Sequence, residues 1–154
     1  MDRIKNIFDK IGSLIPGYRG YAERDGRRNC DKILRDSIVE KLIFVEKQMN
    51  EKLLQYLSDK QKDKMKEVEL LRKKLNTFIS KVKYAPYGET AFFTDNQIKE
   101  DELFNIYQFD LELADSTTVL VNNNNFEDFT TFTNCLENCI SNLQNRNNYI
   151  NEFK

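Results

Sequence analysis

The sequence predicts an all-α fold: one domain over residues 1–154, an antiparallel up-down bundle of about four main helices with a short N-terminal amphipathic helix laid across it. Three observations carry this. Apolar residues recur at steps of three and four along several long stretches, the spacing of one helix face. Five glycines and two prolines leave few places for sharp turns. A hydrophobic share of 40% beside a charged share of 32% suits narrow apolar stripes on otherwise wet helices.

Residues 2–15 place Ile4, Ile7, Phe8, Ile11, Leu14 and Ile15 on one face, with Asp2, Arg3, Lys5, Asn6, Asp9 and Lys10 opposite. Pro16-Gly17 ends this helix. Such a segment can lie on a membrane surface or in a partner's groove. Its polar face is only weakly basic, which favours an arm folded back on the bundle.

A long helix is expected from Ala22 to Leu57, with Ile38, Leu42, Val45, Met49, Leu53 and Tyr56 as its core stripe. Ser58-Asp59-Lys60-Gln61 has capping-box form. It divides the chain into a helical hairpin, although without Gly or Pro one continuous helix stays open. The next helix, from Asp59 to about Lys83, carries Val68, Leu71, Leu75, Phe78 and Val82 at the steps of a left-handed, coiled-coil-like seam.

Tyr84-Ala85-Pro86-Tyr87-Gly88-Glu89-Thr90-Ala91-Phe92-Phe93 follows. Pro86 and Gly88 suit a type I turn. Four aromatics in ten loop residues imply a loop packed onto something. Thr94 and Gln97 form a second capping-box pattern before a helix from Gln97 to Ala114. Thr117-Thr118-Val119-Leu120-Val121 is β-branched, but with no partner strand it reads as that helix continuing. A turn at Asn122–Asn125 leads to a last helix, Glu127 to Asn151, striped by Phe129, Phe132, Leu136, Cys139 or Ile140, Leu143 and Ile150.

The net charge of −1 hides a dipole. Residues 1–83 hold 21 Lys and Arg against 13 Asp and Glu, and residues 84–154 hold 3 against 12. The simplest reading packs one half against the other; the alternative offers each half to its own partner.

Several chemistries are excluded. There is no histidine, which removes Ser-His and Cys-His nucleophile pairs and the His ligands of most zinc and di-iron sites. No glycine loop of the Walker or Rossmann type is present. Cys135 and Cys139 lie one turn apart, with Cys30 elsewhere; they read as core residues and hold no metal. No cofactor is expected. Three unpatterned cysteines, no leader-like segment and no long apolar run point to a reducing, cytoplasmic setting.

The candidate site is residues 17–35, with five arginines, two tyrosines and three glycines. On a helix from Ala22, Arg24, Arg28, Asp31 and Arg35 share a face, with Tyr18 and Tyr21 just before them. Rows of guanidinium groups suit carboxylates and phosphates. Two readings stay open: an anion site for phosphate, nucleotide or lipid headgroup, or an internal ion-pair lattice with Asp110 as a cross-partner. The bundle topology brings residues 17–35 and 84–93 to the same end. Tyr18, Tyr21, Arg24, Arg28, Asp31, Arg35, Tyr84, Tyr87 and Asp110 are therefore expected to form one aromatic and ionic cluster. The short patch and balanced charge argue against nucleic acid.

Pro16-Gly17-Tyr18-Arg19-Gly20-Tyr21, followed by Arg24, Arg27-Arg28, Asp31-Lys32 and Leu34-Arg35, resembles the signature of a bacterial helical family with no assigned activity. Tyr84-Ala85, Tyr87-Gly88, Phe92-Phe93, Leu103 and Phe109-Asp110-Leu111 resemble its second block. The chain departs from that pattern at Gly26 and at Glu89-Thr90. The resemblance covers about residues 14–114 and implies a fold rather than a function.

With no catalytic constellation, the leading expectation is a non-catalytic interaction or scaffold protein that offers a helical face to protein partners or to itself. An anionic-ligand module at Arg24, Arg28 and Arg35 is second. A peripheral membrane protein acting through residues 2–15 is third. An enzyme is the least supported class.

Overall fold

The computed structural model describes residues 2–87, 90–94, 97–123, 126 and 128–153. Five α-helices pack against one another: α1 (Asp2–Leu14), α2 (Arg27–Ser58), α3 (Lys62–Lys83), α4 (Glu100–Asn122) and α5 (Phe129–Asn151). Among the described residues there is no strand. α2 packs on α3, α3 on α5, α5 on α4 and α4 on α2, while α1 lies along α4.

The stripes fall where the periodicity puts them. Ile38, Leu42, Val45, Met49 and Tyr56 of α2 and all five residues of the α3 stripe are buried. Each aliphatic side chain withdrawn from water contributes about 1.5–3 kcal/mol, which orients helices whose own propensity is ordinary. Ile11 and Ile15 are fully buried and Ile4, Ile7, Phe8 and Leu14 partly so, which folds the N-terminal arm onto the bundle. Arg3 adds a stacking contact on Phe104 at 4.1 Å and a pair with Asp101 at 3.4 Å.

The helix ends depart from expectation, and each departure has a cause. α2 begins at Arg27 rather than Ala22, because residues 24–26 form a 3-10 turn and Gly26 takes the cap position. Ser58 does not cap α3: it is the last residue of α2, and α3 starts at Lys62 rather than Asp59. Lys60 adopts φ +58°, the Gln61 amide donates to the Tyr56 carbonyl at 2.9 Å, and the Lys60 amide donates to Leu57 at 3.2 Å. This is a Schellman ending, a position that ordinarily takes glycine. A left-handed L-residue costs about 1–2 kcal/mol, offset in part by glycine's greater chain entropy. Lys60→Gly is therefore expected to raise the urea midpoint, a gain of about 0.5–1 kcal/mol. A loss would mean that the Lys60 side chain holds the turn.

Thr94 and Gln97 do not cap α4. Its start is Glu100, where the Glu102 carboxylate accepts from the Lys99 amide at 2.9 Å; the Thr94 hydroxyl instead donates to the Ala91 carbonyl. Residues 117–121 are helical, as their lack of a partner strand implies. Ser116 and Thr117 hydroxyls donate to the Leu113 carbonyl, and Thr118 to Ala114, so these residues find partners inside the helix. α5 starts at Phe129 with Asp128 accepting from the Thr131 amide. Gly88 of the expected type I turn, Asn124 and Asn125 of the Asn turn, and Glu127 lie outside the described residues.

The loop after α3 is packed, as its aromatics require. Phe92 and Phe93 are buried and Tyr87 partly so, but Tyr84 is 70% exposed. The Thr90 hydroxyl accepts from the Phe92 amide and donates to the Ile150 carbonyl, and the Ala91 amide donates to Phe153. The loop is thereby fastened over the end of α5.

Candidate functional site

Two turns of backbone open the site. Gly17 at φ +86° and Gly20 at φ +84° let residues 15–21 fold back under α4, a conformation that L side chains rarely adopt. The Tyr21 amide then donates to the Tyr107 hydroxyl at 3.0 Å, and the Gly20 amide to the Cys30 sulfur at 3.2 Å.

The two unusual stretches meet, as the topology predicts. Tyr18 and Tyr21 hydroxyls donate to the same oxygen of Asp110, at 2.6 and 2.5 Å. The Tyr87 hydroxyl donates to Asp31 at 2.5 Å, and Arg35 Nε donates to the other Asp31 oxygen at 2.9 Å. Arg35 also donates to the carbonyls of Val82 and Lys83, satisfying the open end of α3. The Tyr21 ring lies 5.0 Å from Phe92 and stacks near Tyr107 at 5.9 Å.

The centre of this cluster is a residue that the sequence reading missed. Arg146 of α5 is fully buried. Its Nε donates to Asp110 at 2.5 Å, Nη2 to Asp31 at 2.7 Å and to the Tyr21 hydroxyl at 3.0 Å, and Nη1 to the Tyr87 hydroxyl at 2.8 Å. Its register is the signal that could have found it. The α5 stripe steps Phe132, Leu136, Cys139, Leu143 and then Ile150, and Arg146 stands in the gap at the next core position.

Three expected members do not join. Arg24 is exposed, with its guanidinium 3.5 Å from Asp25. Arg28 is exposed and lies over the Phe93 ring at 5.0 Å. Tyr84 stands outside, with the Lys83 ammonium over its ring. Arg24 precedes α2 altogether, and Tyr84 follows the last residue of α3 before the loop turns inward. The face turned inward is Arg27, Asp31 and Leu34, not Arg24 and Arg28. Arg27 binds the two stretches together, donating to the carbonyls of Tyr21 at 3.0 Å, Phe92 at 3.3 Å and Thr94 at 3.0 Å.

The two halves of opposite charge pack against each other, as expected. At the surface, Arg3 pairs with Asp101 and Lys74 with Glu137, basic half to acidic half. In the core the polarity is reversed: a base of the acidic half, Arg146, sits beside Asp31 of the basic half.

The electrostatics describe a closed unit. Asp110, Arg146, Asp31 and Arg35 alternate in sign and sum to zero. Burial pushes the Asp110 carboxyl above its ordinary value, against the opposing pull of Arg146 and the two tyrosines. Burial pushes Asp31 up as well, but Arg146, Tyr87 and Arg35 outweigh it and hold that carboxyl low. Burial raises Tyr18 and Tyr21 well above the usual phenol value and Tyr87 to about 12, so all three stay protonated donors. Cys30 is pushed up to about 11 by burial, which leaves it an inert thiol. Cys139 is core, and among the described residues no group of three or more Cys, Asp or Glu side chains is placed to hold a metal ion. With Arg146 and Asp110 fully buried, the cluster ties α2, α4, α5 and both loops together, and its edge at Arg35 and Tyr87 is part-exposed.

A pH experiment follows. Asp31, held low, contributes stability that is present above the unfolded carboxylate value near 3.9 and lost as pH falls through its lower folded value. Asp110, pushed up, contributes in the opposite sense: its share is present below that value and lost as pH rises through its folded value. Urea midpoints at pH 7 and pH 3 should therefore show a smaller acid loss for Asp31→Asn than for the parent chain. An equal loss in both would remove Asp31 as an acid-sensitive group.

Compared with protein-family models, curated proteins and solved structures, the chain matches none. Among the described residues no helix is long and apolar enough to cross a membrane.

Proposed function

We propose that this chain is a non-catalytic interaction protein: an antiparallel up-down bundle that offers the outer face of its α2–α3 hairpin to a protein partner, in a reducing, cytoplasmic setting. We also place it, on its 17–35 pattern, with the bacterial helical family that pattern resembles. One observation carries the function. Leu54, Leu57 and Leu70 are 68%, 59% and 66% exposed; Leu54 and Leu57 line one hollow and Leu70 an adjoining one, and the two share Leu53, Met65 and Glu69 of α2 and α3. Apolar side chains gathered in this way mark interaction sites, whereas scattered ones do not.

The competing readings have less support. Arg35 is already engaged by Asp31 and two carbonyls, and Arg28 by Phe93, so no open row of arginines supports an anion site. The apolar face of α1 is spent on α4 rather than turned to a membrane.

A photo-crosslinking residue at Leu57 tests the reading. It should give adducts of discrete mass with another polypeptide, and these should vanish in Leu54→Asp/Leu70→Asp with circular dichroism unchanged. The same adducts from position Ser141, exposed on α5, would overturn it.

A further inference from the structure

We draw no further inference here: the strongest candidate, the exposed apolar face of Leu54, Leu57 and Leu70 along the α2–α3 hairpin, already carries the interaction reading above, and with Glu40 and Glu51 beside Lys47 and Asp63 beside Lys66 nothing in the structure shows what covers it.

Discussion

Arg146→Met is expected to destabilise the fold by about 3–5 kcal/mol, the usual result of removing one partner from a buried ion pair. The side chain is fully buried and bonds both Asp31 and Asp110, so methionine fills much of the volume but leaves two carboxylates without their main counter-charge. Asp110 keeps its two tyrosine donors and Asp31 keeps Arg35 and Tyr87, so the loss falls short of the full cost of burying bare charges. For a chain of this size the melting temperature should drop by about 6–20 °C. Arg146→Lys should fall between, because an ammonium keeps the charge but cannot span Asp110, Asp31, Tyr21 and Tyr87 as the planar fork does. Should Arg146→Met not fold at all, the triple variant Arg146→Met/Asp31→Asn/Asp110→Asn decides the matter. It removes the orphaned charges and should recover part of the loss. A cost for Arg146→Met below about 1 kcal/mol, the range of exposed pairs, would mean that the network is not the keystone of this end of the bundle.

Arg146 also shows why part of the site was hidden in the sequence. The apolar stripes of α1, α2 and α3 were legible because burial acts on one face and repeats every turn. The meeting of the 17–35 and 84–93 stretches was legible because a helical hairpin returns the chain to its starting end. Arg146 was not, because a charged residue between Gln144, Asn145 and Asn147 reads as a wet stretch of helix. Only the register from Leu143 to Ile150 places it inside, and the residues around it carry no apolar signal. The helix starts were misread for a related reason. Gly26, Gln61 and Lys99 cap α2, α3 and α4, and none has the short oxygen-bearing side chain that marks a cap in a sequence. The later start leaves Arg24 outside α2, and within α2 the inward face centres on Arg27, Asp31 and Leu34 with Arg28 on its flank. Tyr84 was grouped with Tyr87 by proximity in the chain, but it stands at the end of α3 before the loop turns inward.

Gly20→Ala should be the next most damaging change, and the other glycines make it a sharp test. A Cβ built on Gly20 lies 2.3 Å from the Tyr107 hydroxyl and 3.0 Å from both the Phe8 ring and Tyr107 Cζ. Nothing there is the loose end of a flexible side chain. Tyr107 is buried, its hydroxyl accepts the Tyr21 amide, and its ring packs on Phe8 and Tyr18. Making room therefore shifts the ring that supports Tyr18 and Tyr21, and with them the two hydroxyls on Asp110. To this overpacking, about 1–3 kcal/mol, is added the strain of alanine at φ +84°, about 1–2 kcal/mol. A combined loss of about 2–5 kcal/mol in urea unfolding is expected. Gly12→Ala, in the last turn of α1 with nothing within 4 Å of its Cβ, should do the reverse and gain up to about 0.5–1 kcal/mol. The two substitutions add the same methyl group. If both variants unfold at the same urea concentration, then the fold-back of residues 15–21 beneath α4 does not determine stability. If they separate as expected, Gly20 is the residue that lets the tyrosines reach Asp110, and the ionic cluster depends on it.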